Sequence, residues 1–177
     1  MATALYEPKC YQAATQALFM EVAQQVLAEF PDVQVEHIGS TAIPGALSKG
    51  DLDIAVLVPP GQVDHFLPGL LKLGFKIQSS TLRTPQLCML KSLRQDVDLA
   101  LQVIERGSRF EFFLTFRDRL RANPDLVIQY NQVKQASKHL DDAAYRAAKS
   151  RFIEQMLSET MPNALEISAT SKSHKIS

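Results

Sequence analysis

The sequence predicts an α+β fold, with a strand-rich first part over residues 10–105 and a helical second part over residues 108–160. Three observations lead there. Short apolar runs ended by Gly and Pro recur through the first hundred residues, the strongest being Leu52 to Val58 ahead of Pro59-Pro60-Gly61. Val97 to Ile104 alternates, with Val97, Leu99, Leu101 and Val103 on one face and Asp96, Asp98, Ala100 and Gln102 on the other. After Gly107-Ser108 the strand signals stop and helical spacing takes over. A chain of 177 residues, 46% hydrophobic, suffices for one compact domain with a helical appendage and falls short of two full-sized cores.

In order along the chain, Ala14, Leu18, Val22, Val26 and Phe30 recur at helical spacing, which predicts an amphipathic helix from Tyr11 to Phe30, closed by Pro31. Val33 to Ile38 reads as a strand ending at Gly39-Ser40, and Leu52 to Val58 as a second strand. Val63 to Leu73 reads as a helix with Gly74 as its C-terminal cap, because a left-handed residue is cheapest for glycine. Phe75 to Ser80 resumes as strand, and Leu87 to Leu93 pairs with Val97 to Ile104. Helices follow from Phe110 to Ala122, Pro124 to His139 and Asp142 to Ser158, with Ser108 and either Asp141 or Asp142 as caps and Pro124 at a helix start. From Met161 the absence of periodicity predicts a disordered tail over 161–177.

Lysine plus arginine and aspartate plus glutamate are 19 each, so no global basic field gathers a long nucleic acid, and any anionic ligand must be gripped locally. Cys10 and Cys88 lack CxxC spacing and are expected as reduced, partly buried thiols, neither a disulfide nor a zinc site. No apolar run reaches ~18 residues, and the first residues lack a secretory pattern. A cytoplasmic protein without a membrane partner is expected.

The chemistry concentrates in one stretch: His37-Ile38-Gly39-Ser40, ten residues, then Asp51-Leu52-Asp53-Ile54. Strand alternation puts Asp51 and Asp53 on one face while Leu52 and Ile54 enter the core. Two adjacent carboxylates repel unless a solvated surface or a cation relieves them. Magnesium takes oxygen ligands and binds through a few carboxylates together with substrate phosphates. The Gly39-Ser40 turn adds backbone N–H groups and a hydroxyl suited to phosphate oxygens. Together these describe a clamp for a metal-bound triphosphate.

An apolar residue, Gly-Ser, about ten residues and Asp-apolar-Asp-apolar resembles the signature of the nucleotidyltransferase superfamily. EHIGSTAIPGALSKGDLDI, FRDRLRANPDL and the pairs Tyr130/Lys134 and Tyr145/Lys149 resemble the GrpB family more narrowly, over about Leu18 to Leu157. The resemblance implies a polymerase-β-like fold: a mixed sheet with helices on one side, plus a C-terminal helical segment. It further implies a third carboxylate on a neighbouring strand, for which Asp98 is the candidate and Asp96 the reserve, and Mg2+ or Mn2+ held by Asp51, Asp53 and Asp98. The chain departs from typical family members in carrying Asp51 where they have an apolar residue, and Gln102 where they have histidine.

Basic residues complete the expectation. Arg117 and Arg121 share a helix face, as do Tyr130 with Lys134 and Tyr145 with Lys149, and all are candidates for nucleotide binding together with Gly39, Ser40 and Lys49. Arg117 and Arg121 can equally pair with Asp118, Glu111 or Asp125, Lys49 can be an exposed loop lysine, and His37 is read as a structural hydrogen-bonding residue. Phe110, Phe112, Phe113 and Phe116 are read as core. The function expected is metal-dependent transfer of a nucleoside monophosphate from a nucleoside triphosphate to a small-molecule or protein acceptor. The rival is a non-catalytic nucleotide-binding module in a regulatory or interaction role.

Overall fold

The computed structural model describes residues 3–159, so the tail expected over 161–177 lies outside the described residues. A five-stranded mixed sheet is built from β1 (Gln34–Ile38), β2 (Leu52–Val58), β3 (Phe75–Ile77), β4 (Leu87–Ser92) and β5 (Leu99–Glu105), in the order β1-β2-β5-β4-β3. β2 and β5 run parallel; the other neighbours are antiparallel.

α1 (Pro8–Glu29) and α2 (Val63–Lys72) cover one face of this sheet. Leu52, Ile54, Val56 and Val58 of β2 and Leu99, Leu101 and Val103 of β5 point there, against Val22 and Val26 of α1 and Phe66, Leu67 and Leu70 of α2. These are the residues that alternation selected in the sequence, and burying them supplies the main hydrophobic drive. Among the described residues no helix is long and apolar enough to cross a membrane.

The opposite face divides along its length. At one end Ala55 and Leu57 of β2, Ile104 of β5 and Leu87 of β4 pack under Phe110. At the other end, where β2 and β5 begin, the face turns polar with Asp53 and stays uncovered enough to leave a cavity. α3 (Phe112–Ala122), α4 (Pro124–Ser137) and α5 (Asp142–Ser158) pack on one another through Phe116, Leu120, Tyr130 and Phe152, and on the loop residues Ile43 and Ala46. The helical part therefore leans on the β1–β2 loop and roofs the polar end of the sheet.

Several boundaries differ from the expectation, each for a local reason. α1 begins at Pro8, which sits well in a first helical turn because its missing N–H has no partner there. β3 stops at Ile77 because Gln78 begins a turn, its carbonyl accepting from the Thr81 backbone and from Thr81 Oγ1 at 2.7 Å. β5 begins at Leu99, so Asp96 and Asp98 precede the strand, and Asp98 contributes its carbonyl to the Leu52 N–H at 2.8 Å. Ser108 caps a 3-10 turn (Arg109–Glu111) ahead of α3, Asn123 caps α4, and Asp141 rather than Asp142 caps α5. Cys88 is buried but Cys10 is exposed, the first residues of α1 having no layer above them.

Arg117 is placed differently from its expected role at a ligand. It is 5% exposed and bridges α3 to β1: Nη1 donates to Glu36 Oε2 at 2.7 Å and to the His37 carbonyl at 2.9 Å, and Nε donates to Asp118 Oδ1 at 2.8 Å. It lines no part of the cavity. Arg121 likewise donates to the Ala42 carbonyl at 2.8 Å from outside the cavity. Both guanidiniums fasten the helical part to the strand-and-turn half. Removing Arg117 takes the cation from the half-buried Glu36 carboxylate, leaving it the Gln34 amide, and a donor from the His37 carbonyl, so Arg117→Ala is expected to lower the unfolding free energy by roughly 2–3 kcal/mol. Urea titration measures it, with Arg94→Ala, from an exposed ion pair, expected to leave the midpoint unchanged.

Candidate functional site

The site begins with the register of β1 on β2, which sets Ile38 opposite Asp53. Gly39, the next residue, has φ 75°, and a Cβ there would lie 2.7 Å from Asp53 Oδ2. Glycine is required twice over, by the left-handed backbone and by the carboxylate packed on it. Ser40 then opens a short 3-10 turn (Ser40–Ala42), its hydroxyl 3.5 Å from the Tyr130 hydroxyl and 3.4 Å from Lys134 Nζ. The turn is braced from behind by Thr41, whose Oγ1 donates to the Asp51 carbonyl at 3.1 Å and lies 2.9 Å from His37 Nε2. His37 is buried and stacks on Phe19, and burial first, then Arg121 and Arg117, push its pKa down to about 4. It is a neutral structural residue, as the sequence indicates.

Asp51, Asp53 and Asp98 all line one cavity of about 220 Å³ with Gly39 and Ser40. Burial, then the neighbouring Asp51 carboxylate, push the Asp53 carboxyl up to about 7, with Asp98 adding to the shift and Lys149 and Lys91 opposing it. Asp98 is exposed and paired with Lys91 Nζ at 3.0 Å, while Ser48 Oγ is 3.4 Å from Asp51 Oδ1. Asp96 lies outside, held by Arg94 at 2.9 Å. Among the described residues no three carboxylates, histidines or cysteines already converge as a ligand set. What is present is a strained acidic pair beside a phosphate-sized turn, which fits a cation that brings phosphate oxygens of its own.

Cations ring the acids. Lys149 of α5 and Lys49 of the loop line the cavity, and both ammoniums lie over the Tyr145 ring, at 5.4 and 5.1 Å from its centre. Burial opposes the charge on Lys149, but Tyr130, Asp51, Tyr145 and Asp53 together hold its pKa above the ordinary lysine value. Lys134 does not line the cavity: it lies beneath Ser40, 1% exposed, 4.0 Å over the Tyr130 ring and bonded to the Leu47 carbonyl. Burial, then Lys149, bring its pKa down to about 7. Tyr145 is buried and acts as the floor on which the two lysines rest.

Other residues that the sequence reading passed over line the same space. Phe112 and Phe113, read there as core, stack on each other at 4.1 Å and line the cavity; Phe116, buried as expected, also contributes to its wall, and Phe110 is buried away from it. Arg146, Ser150 and Ile153 join Lys149 on one face of α5, at i, i+3, i+4 and i+7 spacing that was open to view in the sequence. Lys91, Gln78 and Gln102 come from β4, the β3 end and β5, and only the pairing of β5 with β4 brings them in. Lone residues on separate strands leave no local signal.

The family model described as GrpB protein matches residues 9–159. A UPF0157 protein of Vibrio cholerae is 44% identical over 154 residues, covering 87% of this chain and 81% of that one. One of Streptomyces coelicolor is 37% identical over 107 residues, with 59% and 55% covered. Among solved structures, the conserved protein GrpB from Enterococcus faecalis has a TM-score of 0.63 at 23% identity over 87% of this chain and 99% of that one. A cytoplasmic RNA terminal U-transferase has a TM-score of 0.52 at 17% identity over 72% of this chain, which spans only 41% of that enzyme. Such identities carry the fold alone, and the fold is that of the nucleotidyltransferases. By sequence match along most of its length, and by the turn and carboxylates just described, this chain belongs to the GrpB family.

Proposed function

We propose that the chain transfers a nucleoside monophosphate from a nucleoside triphosphate to a hydroxyl of a small-molecule or protein acceptor, with pyrophosphate leaving. The observation that carries this reading is the Asp53 carboxylate, packed on the Gly39 turn beside Asp51 and Asp98 in a small, cation-ringed cavity. A purely structural acid would not be buried against two others, because that raises the cost of its charge. Asp51 and Asp53 would hold Mg2+ or Mn2+, with Asp98 as the third carboxylate. When bound, the cation neutralises phosphate charge. Ser40 and the backbone of the Gly39 turn bind the terminal phosphates, and Lys149 and Lys49 balance their charge. Asp98 stands where it can take the acceptor's proton. Catalysis on this reading is positioning and charge neutralisation.

A nucleotide-binding module without transfer is the second reading. It is favoured by the Lys91–Asp98 ion pair, which occupies the third carboxylate. Pyrophosphate release separates the two. Incubation with the four ribonucleoside triphosphates, Mg2+ and a panel of hydroxyl acceptors is expected to release pyrophosphate, and Asp53→Asn to lower the rate by at least ~100-fold. A nucleotide-dependent rise in melting temperature with no pyrophosphate from any acceptor would move the module reading ahead.

Asp53 also sets a pH dependence of the metal-free protein. Its carboxyl goes from an ordinary 3.8 when unfolded to about 7 when folded. Between those values the folded chain keeps a proton that the unfolded chain has released, so this residue's contribution to stability falls as pH rises, by up to ~1.4 kcal/mol per unit. His37 works the other way: between about 4 and 6.5 the unfolded chain holds the extra proton, so its contribution rises with pH. The difference isolates Asp53. Urea titrations at pH 5, 6, 7 and 8 are expected to show Asp53→Asn gaining on the wild type up to about pH 7 and levelling off above it, with Mg2+ plus nucleotide narrowing the gap.

A further inference from the structure

On the cavity side of β5, Asp98, Ala100, Gln102 and Ile104 follow one another from the acidic end toward the apolar end. Ala100 stands opposite Asp53, and Gln102 lies about 6.6 Å farther along at ~3.3 Å per residue. Gln102 is 1% exposed and lines the cavity, yet its Oε1 has no hydrogen-bond partner among the described residues. An unpaired amide oxygen at such depth is costly, and sheet positions of this kind are ordinarily filled by valine or leucine. None of the donors that share the cavity reaches it: Ala100 is small and apolar, Phe112 and Phe113 present aromatic surface, Lys91 is bonded to Asp98, and the Gln78 amide lines the cavity without bonding to it. A donor on a molecule bound in the cavity that Gln102 lines would satisfy this oxygen.

The direction of transfer says which ligand, and this step rests on the transfer reading above. With the terminal phosphates at Ser40, on the β1 side, and the reacting phosphorus at Asp51 and Asp53 on β2, pyrophosphate departs toward β1. In-line displacement then brings the attacking oxygen from the opposite side, over β5, where Asp98 and Gln102 stand. The acceptor's hydroxyl oxygen bonds to the α-phosphorus, the bond from that phosphorus to the pyrophosphate oxygen breaks with its electron pair going to the leaving group, and the proton passes to the Asp98 carboxylate.

We propose that Gln102 is the residue that recognises the acceptor, and that the acceptor is a small hydroxylated compound with a flat carboxamide or lactam group. Such a group offers an N–H to Oε1 and a carbonyl to Nε2 of the same amide, while its flat body lies against Phe112 and Phe113. The two stacked rings in the cavity wall suit a single flat ring as the acceptor's body.

The test titrates 15N-labelled protein with benzamide, 3-hydroxybenzamide and 2-pyridone, following the side-chain amide resonance of Gln102, and repeats the titration on Gln102→Leu. Acetophenone, which keeps the ring and carbonyl but has no N–H, is the control. Binding of an amide that shifts this resonance and weakens at least tenfold in Gln102→Leu, while acetophenone binds both proteins alike, is the expected result. Absence of binding by all three amides, or equal affinity for both proteins, overturns the proposal. Gln102→Leu deletes an unpaired buried oxygen, so its melting temperature without ligand is expected to equal or exceed that of the wild type, and a lower one would show that the amide is structural. Fragment binding needs neither nucleotide nor metal, so failure of the transfer reading registers in pyrophosphate release and leaves this titration as a separate result.

Discussion

Ile38 faces Asp53 across the antiparallel β1–β2 pair, and this single register places the next residue of β1 against a carboxylate. With Asp53 Oδ2 2.7 Å from where a Cβ would stand, the position admits only glycine, and the left-handed turn that glycine permits aims Ser40 over the start of β2. A slip of one residue would send Asp53 into the apolar layer under α1 and bring Leu52 or Ile54 out. The apolar pattern of β2 thus enforces the geometry of the polar end. Tyr130 and Lys134 of α4 approach Ser40, while Arg117 and Arg121 of α3 hold the carbonyls of His37 and Ala42 on either side. The helical part is docked on the turn by its own polar side chains.

Charge within the site is balanced at short range, as the zero net charge of the whole chain is balanced overall. Asp51, Asp53 and Asp98 share the cavity with Lys149, Lys49 and Lys91, and one buried ring, Tyr145, lies beneath both Lys149 and Lys49. Two titratable groups beside the turn, half-buried Asp53 and buried Lys134, are displaced toward neutrality, Asp53 upward and Lys134 downward. Each would regain its charge cheaply only beside an opposite one: a cation for the acid, phosphate oxygens for the lysine.

The apolar skeleton and the Gly-Ser/Asp-x-Asp core of the site were legible because both are local: alternation marks the strands, and the spacing of Gly39, Ser40, Asp51 and Asp53 is a matter of one hairpin-like stretch. Caps at Ser108, Asn123 and Asp141 follow from side chains that satisfy the first free N–H groups of a helix. What the sequence concealed is pairing between distant segments. Arg117 was open to two roles, and Glu36, eighty-one residues earlier, decides between them. Asp96 and Asp98 seemed to share a strand face, but β5 starts at Leu99, and Asp98 reaches the cavity while Asp96 bends back to Arg94. Phe112 and Phe113 have core composition and end at a cavity wall, because α3 crosses the sheet where the face is turning polar.

The parts that were hidden are also the parts that decide what the site accepts. The turn and the carboxylates would serve any nucleotidyl transfer, and the shared fold of an RNA terminal U-transferase, of which this chain spans 41%, shows that the same sheet can belong to a longer enzyme. Selection must come from whatever closes the cavity above the sheet. Here that is α3 and α5, packed directly on α4 through Phe116, Tyr130 and Phe152 without an intervening domain. That roof mixes two kinds of side chain, since Phe112, Phe113 and Phe116 of α3 and Arg146 and Lys149 of α5 all line the cavity. On the transfer reading proposed above, these side chains, rather than the turn, set which molecules reach Asp53.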